Sequence, residues 1–266
     1  MRRRKNEKVL RPVFPNAGIA ALYRKKLRKL IEEMQASYVH FLKRQYRKKP
    51  PVLAQDDSPA QDLEKELRRL GVQWNKRFND AAPLLAAWFA KSVAKRSDAA
   101  LRRILKDAGI TVESRMTKAM RDILNATLAG NVSMIKSIPE QYHAQVSDLV
   151  MRSVQTGRDL GTLSKELRAR YGVTERRAAL IAMTQNNMAT SAMQHARQTE
   201  LGIDEAIWMH SHAGVTPRKT HLANDGKRYN IATGWHDPDP KVNRHIWPSE
   251  LINCRCQSKP IVRGFS

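Results

Sequence analysis

The chain has 266 residues, with 48 Lys and Arg against 25 Asp and Glu, a formal net charge of +23 at pH 7 and a pI near 10.5. Its 41% of hydrophobic residues is enough apolar material for a core and excludes wholesale disorder, while the longest uncharged apolar stretch, 83–90, is far short of the roughly 18 residues of a membrane span. So basic a chain points to a polyanionic partner, of which nucleic acid is the commonest.

Residues 1–17 join the charge run Arg2, Arg3, Arg4 and Lys5 to two prolines and show no apolar period. They are expected to form a basic flexible arm that orders on a partner, and Asn6, Glu7, Lys8 and Arg11 stand where a signal peptide would need its apolar core. A helical body is expected over 18–156. From 19 to 49, Leu22, Tyr23, Leu27, Leu30, Ile31, Met34, Tyr38, Phe41, Leu42 and Tyr46 recur at spacings of three and four, predicting one long amphipathic helix. Arg24, Lys25, Lys43, Arg44, Arg47 and Lys48 crowd its ends and, with the arm, are the candidate nucleic-acid contacts; the plainer reading is a solvated helix face.

Pro50-Pro51 stops that helix, and Ser58-Pro-Ala-Gln61 has the pattern of a new start, with Ser as N-cap, Pro at the first helical position and Gln reaching back. Leu63, Leu67, Leu70, Trp74 and Phe78 follow at core spacing. Further helices are predicted over about 83–106, 113–129 and 139–155, the last capped by Ser137, then a short one from Thr162 and a long one from Thr174 to Gly202. Past Gly202 the period shortens: 206–210 is strand-like, and 254–262 can supply a closing strand. The expected fold class is mainly α, a helical N-terminal body followed by a small C-terminal α+β module within 157–266.

The chemistry gathers near the end. Cys254 and Cys256 are the two cysteines, and one intervening residue strains a mutual disulfide, so disulfides do not hold the fold and a reducing cytoplasm suits it. His210, His212, His221, His236 and His245 lie just upstream, and Cys with His is the ligand chemistry zinc prefers. The expected metal set is Cys254 and Cys256 with two of His221, His236 and His245, of which His221 and His245 are taken forward; the alternative is a hydrogen-bonded cluster of reduced thiols. A metal-dependent nuclease around His221 and His245, with Asn224, Asp225 and Asn243 nearby, is the competing enzymatic reading, although no fixed-spacing motif links them. The chain has neither a Gly-x4-Gly-Lys-Ser/Thr phosphate loop nor a Gly-x-Gly-x-x-Gly fingerprint.

Taken in order, Tyr171-Gly-Val-Thr174, Ile181-Ala-Met-Thr-Gln-Asn186, Gly202, Trp208, Pro217-Arg-Lys-Thr-His221, Asn224-Asp-Gly226, Pro248, Asn253-Cys-Arg-Cys256 and Pro260-Ile-Val262 resemble the phage head morphogenesis, or minor head protein, family typified by protein F of phage Mu. The resemblance covers roughly the last hundred residues. It departs from the family's pattern at Met183 and Gln185, which stand where Arg and Glu are common, and at Thr216-Pro217, where an acidic residue is common. It implies a non-enzymatic minor component of a tailed-phage head, lying inside the capsid near the portal after assembly in the host cytoplasm. Its implied partners are the portal protein, scaffold or major capsid protein, and packaged double-stranded DNA bound without sequence preference.

Overall fold

The computed structural model describes residues 6–48, 58–113, 115–155, 160–212 and 216–264. Among them, helices α1 (Ala17–Lys48), α2 (Ser58–Asp107), α3 (Lys118–Gln155), α4 (Leu160–Glu200) and α5 (Lys219–Ala223) carry most of the chain. Strands β1 (Glu7–Val9), β2 (Glu205–Met209), β3 (Arg228–Asn230), β4 (Trp235–Asp237), β5 (Arg244–Ile246) and β6 (Gln257–Arg263) complete it. The expected class, mainly α with a small strand-bearing C-terminal module, is the one observed. None of the helices is long and apolar enough to cross a membrane.

Three expected helix breaks are absent. Pro83 lies inside α2 and Pro139 inside α3, and α4 runs unbroken through Gly172. An interior proline forfeits one backbone hydrogen bond and crowds the preceding turn, at about 3 kcal/mol. Buried side chains on both sides of each proline offset that cost: Ala82, Ala86 and Phe89 in α2, and Ile135, Ile138 and Tyr142 in α3. The residues expected to cap new helices bond backward within the existing ones instead. Ser137 Oγ donates to the Met134 carbonyl at 2.8 Å, and Thr174 Oγ1 to the Arg170 carbonyl at 3.1 Å.

Packing divides the chain into two compact units, Met1–Ala20 with Trp88–Leu128 and Met183–Ser266, and Ala21–Ala87 with Ala129–Ala182. This grouping differs from the chain-order division at 17 and 156, because α1, α2, α3 and α4 each contribute to both units.

Among the described residues, the second unit is helical. Tyr23, Leu27, Ile31, Met34, Tyr38, Leu42 and Tyr46 of α1 are buried as their spacing predicts, whereas Leu22 is exposed. Three of these tyrosines tie α1 to α3: Tyr23 Oη donates to Asn131 Oδ1 at 2.9 Å, Tyr38 Oη meets His143 Nδ1 at 3.0 Å, and Tyr46 Oη donates to Ser153 Oγ at 3.2 Å. The partners ascend together, so the two helices run parallel. Burial pushes the Tyr23 and Tyr38 hydroxyls upward and the His143 ring downward, which keeps the phenols as donors and the imidazole as a neutral acceptor.

Gly71 of α2 sits against the same imidazole, where an added Cβ would lie 2.8 Å from His143 ring atoms. On helix propensity alone Gly71→Ala would stabilise by about 1 kcal/mol. Overpacking against a ring tied to Tyr38 reverses the sign, and a net loss of about 1–3 kcal/mol is expected in urea denaturation. A gain in stability would mean that the ring gives way freely.

In the first unit, four antiparallel strands are ordered β1-β6-β2-β3, and β4-β5 form a separate hairpin. Glu7–Val9, read from the sequence as part of an arm, is the edge strand, with Glu7 opposite Arg263. Leu10 and Val13 follow it into a cluster with Leu101, Leu105 and Ala108. Arg2, Arg3, Arg4 and Lys5 lie outside the described residues. Charges lock the four strands together: Arg228 donates to Glu7 at 2.6 Å and to Glu205 at 3.3 Å, and Arg263 bonds the same two carboxylates. The Arg228 guanidinium holds the Glu7 carboxyl below its ordinary range.

The core beneath the sheet comprises Ile203, Ala206, Trp208, Tyr229, Ile231, Ile246, Cys254 and Cys256. One face of α4, read every fourth residue, bonds the loops around it. Asn187 Nδ2 donates to the Cys254 carbonyl at 3.0 Å, Ser191 Oγ to that of Pro248, and His195 Nε2 to that of Ile231 at 2.8 Å. Beside this face, Gln194 donates to Ser97, and the buried Arg197 pairs with Asp98 at 2.9 Å.

Candidate metal centre

His221 sits in the middle of α5, a helix of one turn that begins after Pro217 and ends at Asn224; Gly226, whose φ of +76° places it in the left-handed region, then turns the chain and donates its N–H to the Trp208 carbonyl. Asn253, with φ +62°, turns the chain just before the cysteines, and asparagine tolerates that conformation better than most residues. Cys254 and Cys256 then lie two residues apart just ahead of β6, with both sulphurs turned to His221. Their carbonyls are tied on the other side, that of Cys254 by Asn187 and that of Cys256 by Ser249 Oγ at 2.7 Å.

The two sulphurs converge on one ring nitrogen. His221 Nδ1 lies 3.6 Å from Cys254 Sγ and 3.5 Å from Cys256 Sγ, and all three donor atoms fall within 4.8 Å of one another. A tetrahedral cation about 2.3 Å from sulphur and about 2.0–2.1 Å from nitrogen sets an N···S edge of about 3.5–3.6 Å. The spacing therefore fits a zinc-sized metal, and all three residues are buried.

The opposite ring nitrogen is held too. Asp237, fully buried at the end of β4, has its Oδ2 3.1 Å from His221 Nε2. A carboxylate there accepts a hydrogen bond from Nε2–H and leaves the Nδ1 lone pair aimed at the sulphurs, the arrangement common to metal-bound histidines. Trp208 and Trp235 stand edge-on to the imidazole at 5.2 and 5.9 Å between centroids, which excludes water from its faces.

Electrostatics favours a cation. The hydrogen bond between the thiols pulls Cys254 down and pushes Cys256 up, and a divalent ion lets both ionise. Backbone N–H groups add support, that of Cys256 toward Cys254 and that of Ser211 toward Cys256.

Of the four ligands taken forward from the sequence, the fold brings Cys254, Cys256 and His221 together and leaves His245 out. Side chains alternate along a strand, so Asp237 turned inward puts His236 outward on β4, and the register pairs His236 with His245, their rings 5.3 Å apart. His245 is exposed. The grouping on which the nuclease reading rested is not formed either: Asp225 accepts from the His210 backbone N–H at 2.8 Å and faces His212 Nε2 at 3.0 Å, while His221 is taken by Asp237. Asp237 escaped sequence reasoning because only its alternation with His236 hinted at an inward carboxylate.

The candidate nucleic-acid contacts Arg24, Lys25, Lys43, Arg44 and Arg47 are exposed on α1, with Arg24 3.7 Å from Glu175. Lys48 closes the same helix, and its side chain lies outside the described residues.

Residues 144–259 match the family model described as phage Mu protein F like protein. This stretch is similar to that family. It contains His221, Asp237, Cys254 and Cys256, together with the α4 face that anchors the Cys254 carbonyl. An uncharacterised protein of Haemophilus influenzae is 32% identical over 139 residues, which make up 52% of this chain and 29% of that protein. The chain therefore spans less than a third of that relative's length. No solved structure matches it.

Proposed function

We propose that this protein is a minor head protein of a tailed phage. It acts without an enzymatic step in head assembly or DNA delivery, contacts the portal and scaffold or major capsid protein, and binds packaged double-stranded DNA in the capsid interior. The match of residues 144–259 to the Mu F-like family carries this reading. The net charge of +23 and the exposed basic residues at the ends of α1 support the DNA contact, since a protein facing packed DNA needs charge and no base readout. The deciding experiment is quantitative mass spectrometry of purified, DNA-filled particles from the phage or prophage that encodes the chain. A few copies per particle are expected, and their absence would overturn a virion role. Plasmid cleavage by the pure protein with Mg²⁺ or Mn²⁺, lost in His221→Ala, would instead establish a nuclease.

DNA binding is expected to weaken linearly on a log–log plot against salt, with no sequence preference. Lys43→Ala, Arg44→Ala and Arg47→Ala combined should reduce the slope by about 2–3, at roughly 0.9 for each phosphate no longer neutralised. An unchanged slope would place the DNA-binding surface elsewhere.

Zinc is the cation this reading assigns to His221, Cys254 and Cys256, where it would cross-link α5 to the approach to β6. Asp237→Asn, which weakens the hold on the His221 tautomer, is expected to lower zinc affinity by about 10–100-fold in competition with a chromophoric chelator. Equal affinity would show that Asp237 does not orient the ring.

A further inference from the structure

The three protein donors leave a tetrahedral metal one position short, and the surroundings say where that position points. A cleft of about 600 Å³ is lined by His221, Cys254 and Cys256 together with His210, Arg218 and Arg255. Among the described residues, no fourth donor joins the cluster. Asp237 bonds the far side of the His221 ring, and His245 faces outward on the hairpin. His210 uses its Nδ1 lone pair to accept the backbone N–H of His212 at 3.0 Å, which puts its ring proton on Nε2 and leaves no free lone pair for a metal. Residues 213–215 are Ala, Gly and Val and have no ligating side chain. Structural zinc sites are closed by four protein ligands, whereas three ligands facing a cleft are the mark of an exchangeable position.

The geometry points to an open fourth coordination position that accepts a phosphate oxyanion. This inference rests on the metal reading of the His221–Cys254–Cys256 cluster. Two thiolates neutralise a divalent cation, so an anion entering here must be met by another positive charge. Arg218 lines the cleft, and its Nη2 donates to the Ile252 carbonyl at 3.0 Å. That uses one of the five donors of a guanidinium, whose fork matches phosphate. The oxyanion comes either from free phosphate or from a DNA backbone.

The test uses the full-length protein loaded with Co²⁺, whose visible spectrum reports coordination directly. One cobalt per chain is expected, and inorganic phosphate should shift the spectrum saturably. Arg218→Ala should keep the cobalt stoichiometry and weaken phosphate about tenfold. His210→Ala should leave the phosphate-free spectrum unchanged. A short DNA duplex in phosphate-free buffer separates the sources: the same shift assigns the position to a phosphodiester, and a shift with inorganic phosphate alone assigns it to the free ion. Stoichiometric cobalt with a spectrum indifferent to both, or one altered by His210→Ala, would show a closed site and overturn the inference. Failure to take up cobalt at all would overturn the metal reading, and this inference with it.

Discussion

Replacing Cys256 by serine is expected to abolish stoichiometric metal binding and to lower the melting temperature by about 8–16 °C. The size follows from linkage. A cation that binds only the folded chain stabilises it by about 4 kcal/mol at a free concentration 1,000 times its Kd, and each kcal/mol moves Tm by about 2–4 °C in a protein of this size. Serine is nearly isosteric but does not ionise, so the substitution removes a thiolate with little change in packing. A chelator should lower the wild-type Tm by the same amount and leave Cys256→Ser where it already is. A wild-type melting curve indifferent to chelator would show that His221, Cys254 and Cys256 form an ordinary buried cluster.

Trp208→Ala is expected to cost about 3–5 kcal/mol in urea denaturation, the range for emptying a large aromatic site in a core. Trp208 is fully buried in β2, whose backbone pairs with both β6 and β3. Its ring lies 5.0 Å from that of Trp235, 5.2 Å from that of His221 and 5.9 Å from that of Tyr229. Removing it opens a void beside the imidazole, so metal affinity should fall along with stability. Trp208→Phe, which keeps an aromatic wall, should retain most of both. A cost below about 1 kcal/mol for the alanine variant would mean that Trp235 and Tyr229 close the gap.

What was legible in the sequence was whatever a local period carries. The apolar stripe of α1 is one such case: its tyrosines at 23, 38 and 46 are buried as their spacing predicts. The Cys-x-Cys pair is another, because residues two apart in extended chain share a face whatever surrounds them. Helix breaks were misread for the opposite reason. Pro83, Pro139 and Gly172 carry local stop signals, and the buried residues that carry α2, α3 and α4 past them depend on packing with segments distant in sequence. The fourth ligand failed similarly. His245 has the right chemistry for a ligand, but on the β4–β5 hairpin it faces outward beside His236, and the residue turned inward is Asp237. The strand at Glu7–Val9 has a partner that no window of sequence could join to it.

That pairing also sets an order of events during synthesis. Glu7 and Arg263 stand 256 positions apart, and at about 5–20 residues per second the second follows the first by roughly 13–50 s. Late in that interval, once β2 and His221 have been made, β2 still lacks the neighbour that joins it to β1, Glu7 and Glu205 wait for the Arg263 guanidinium, and His221 waits for Cys254 and Cys256. The sheet and the His221–Cys254–Cys256 cluster are therefore completed by the same late stretch of chain. A nascent chain halted before residue 254 has neither, so this unit reaches its folded form only after the ribosome has passed that point.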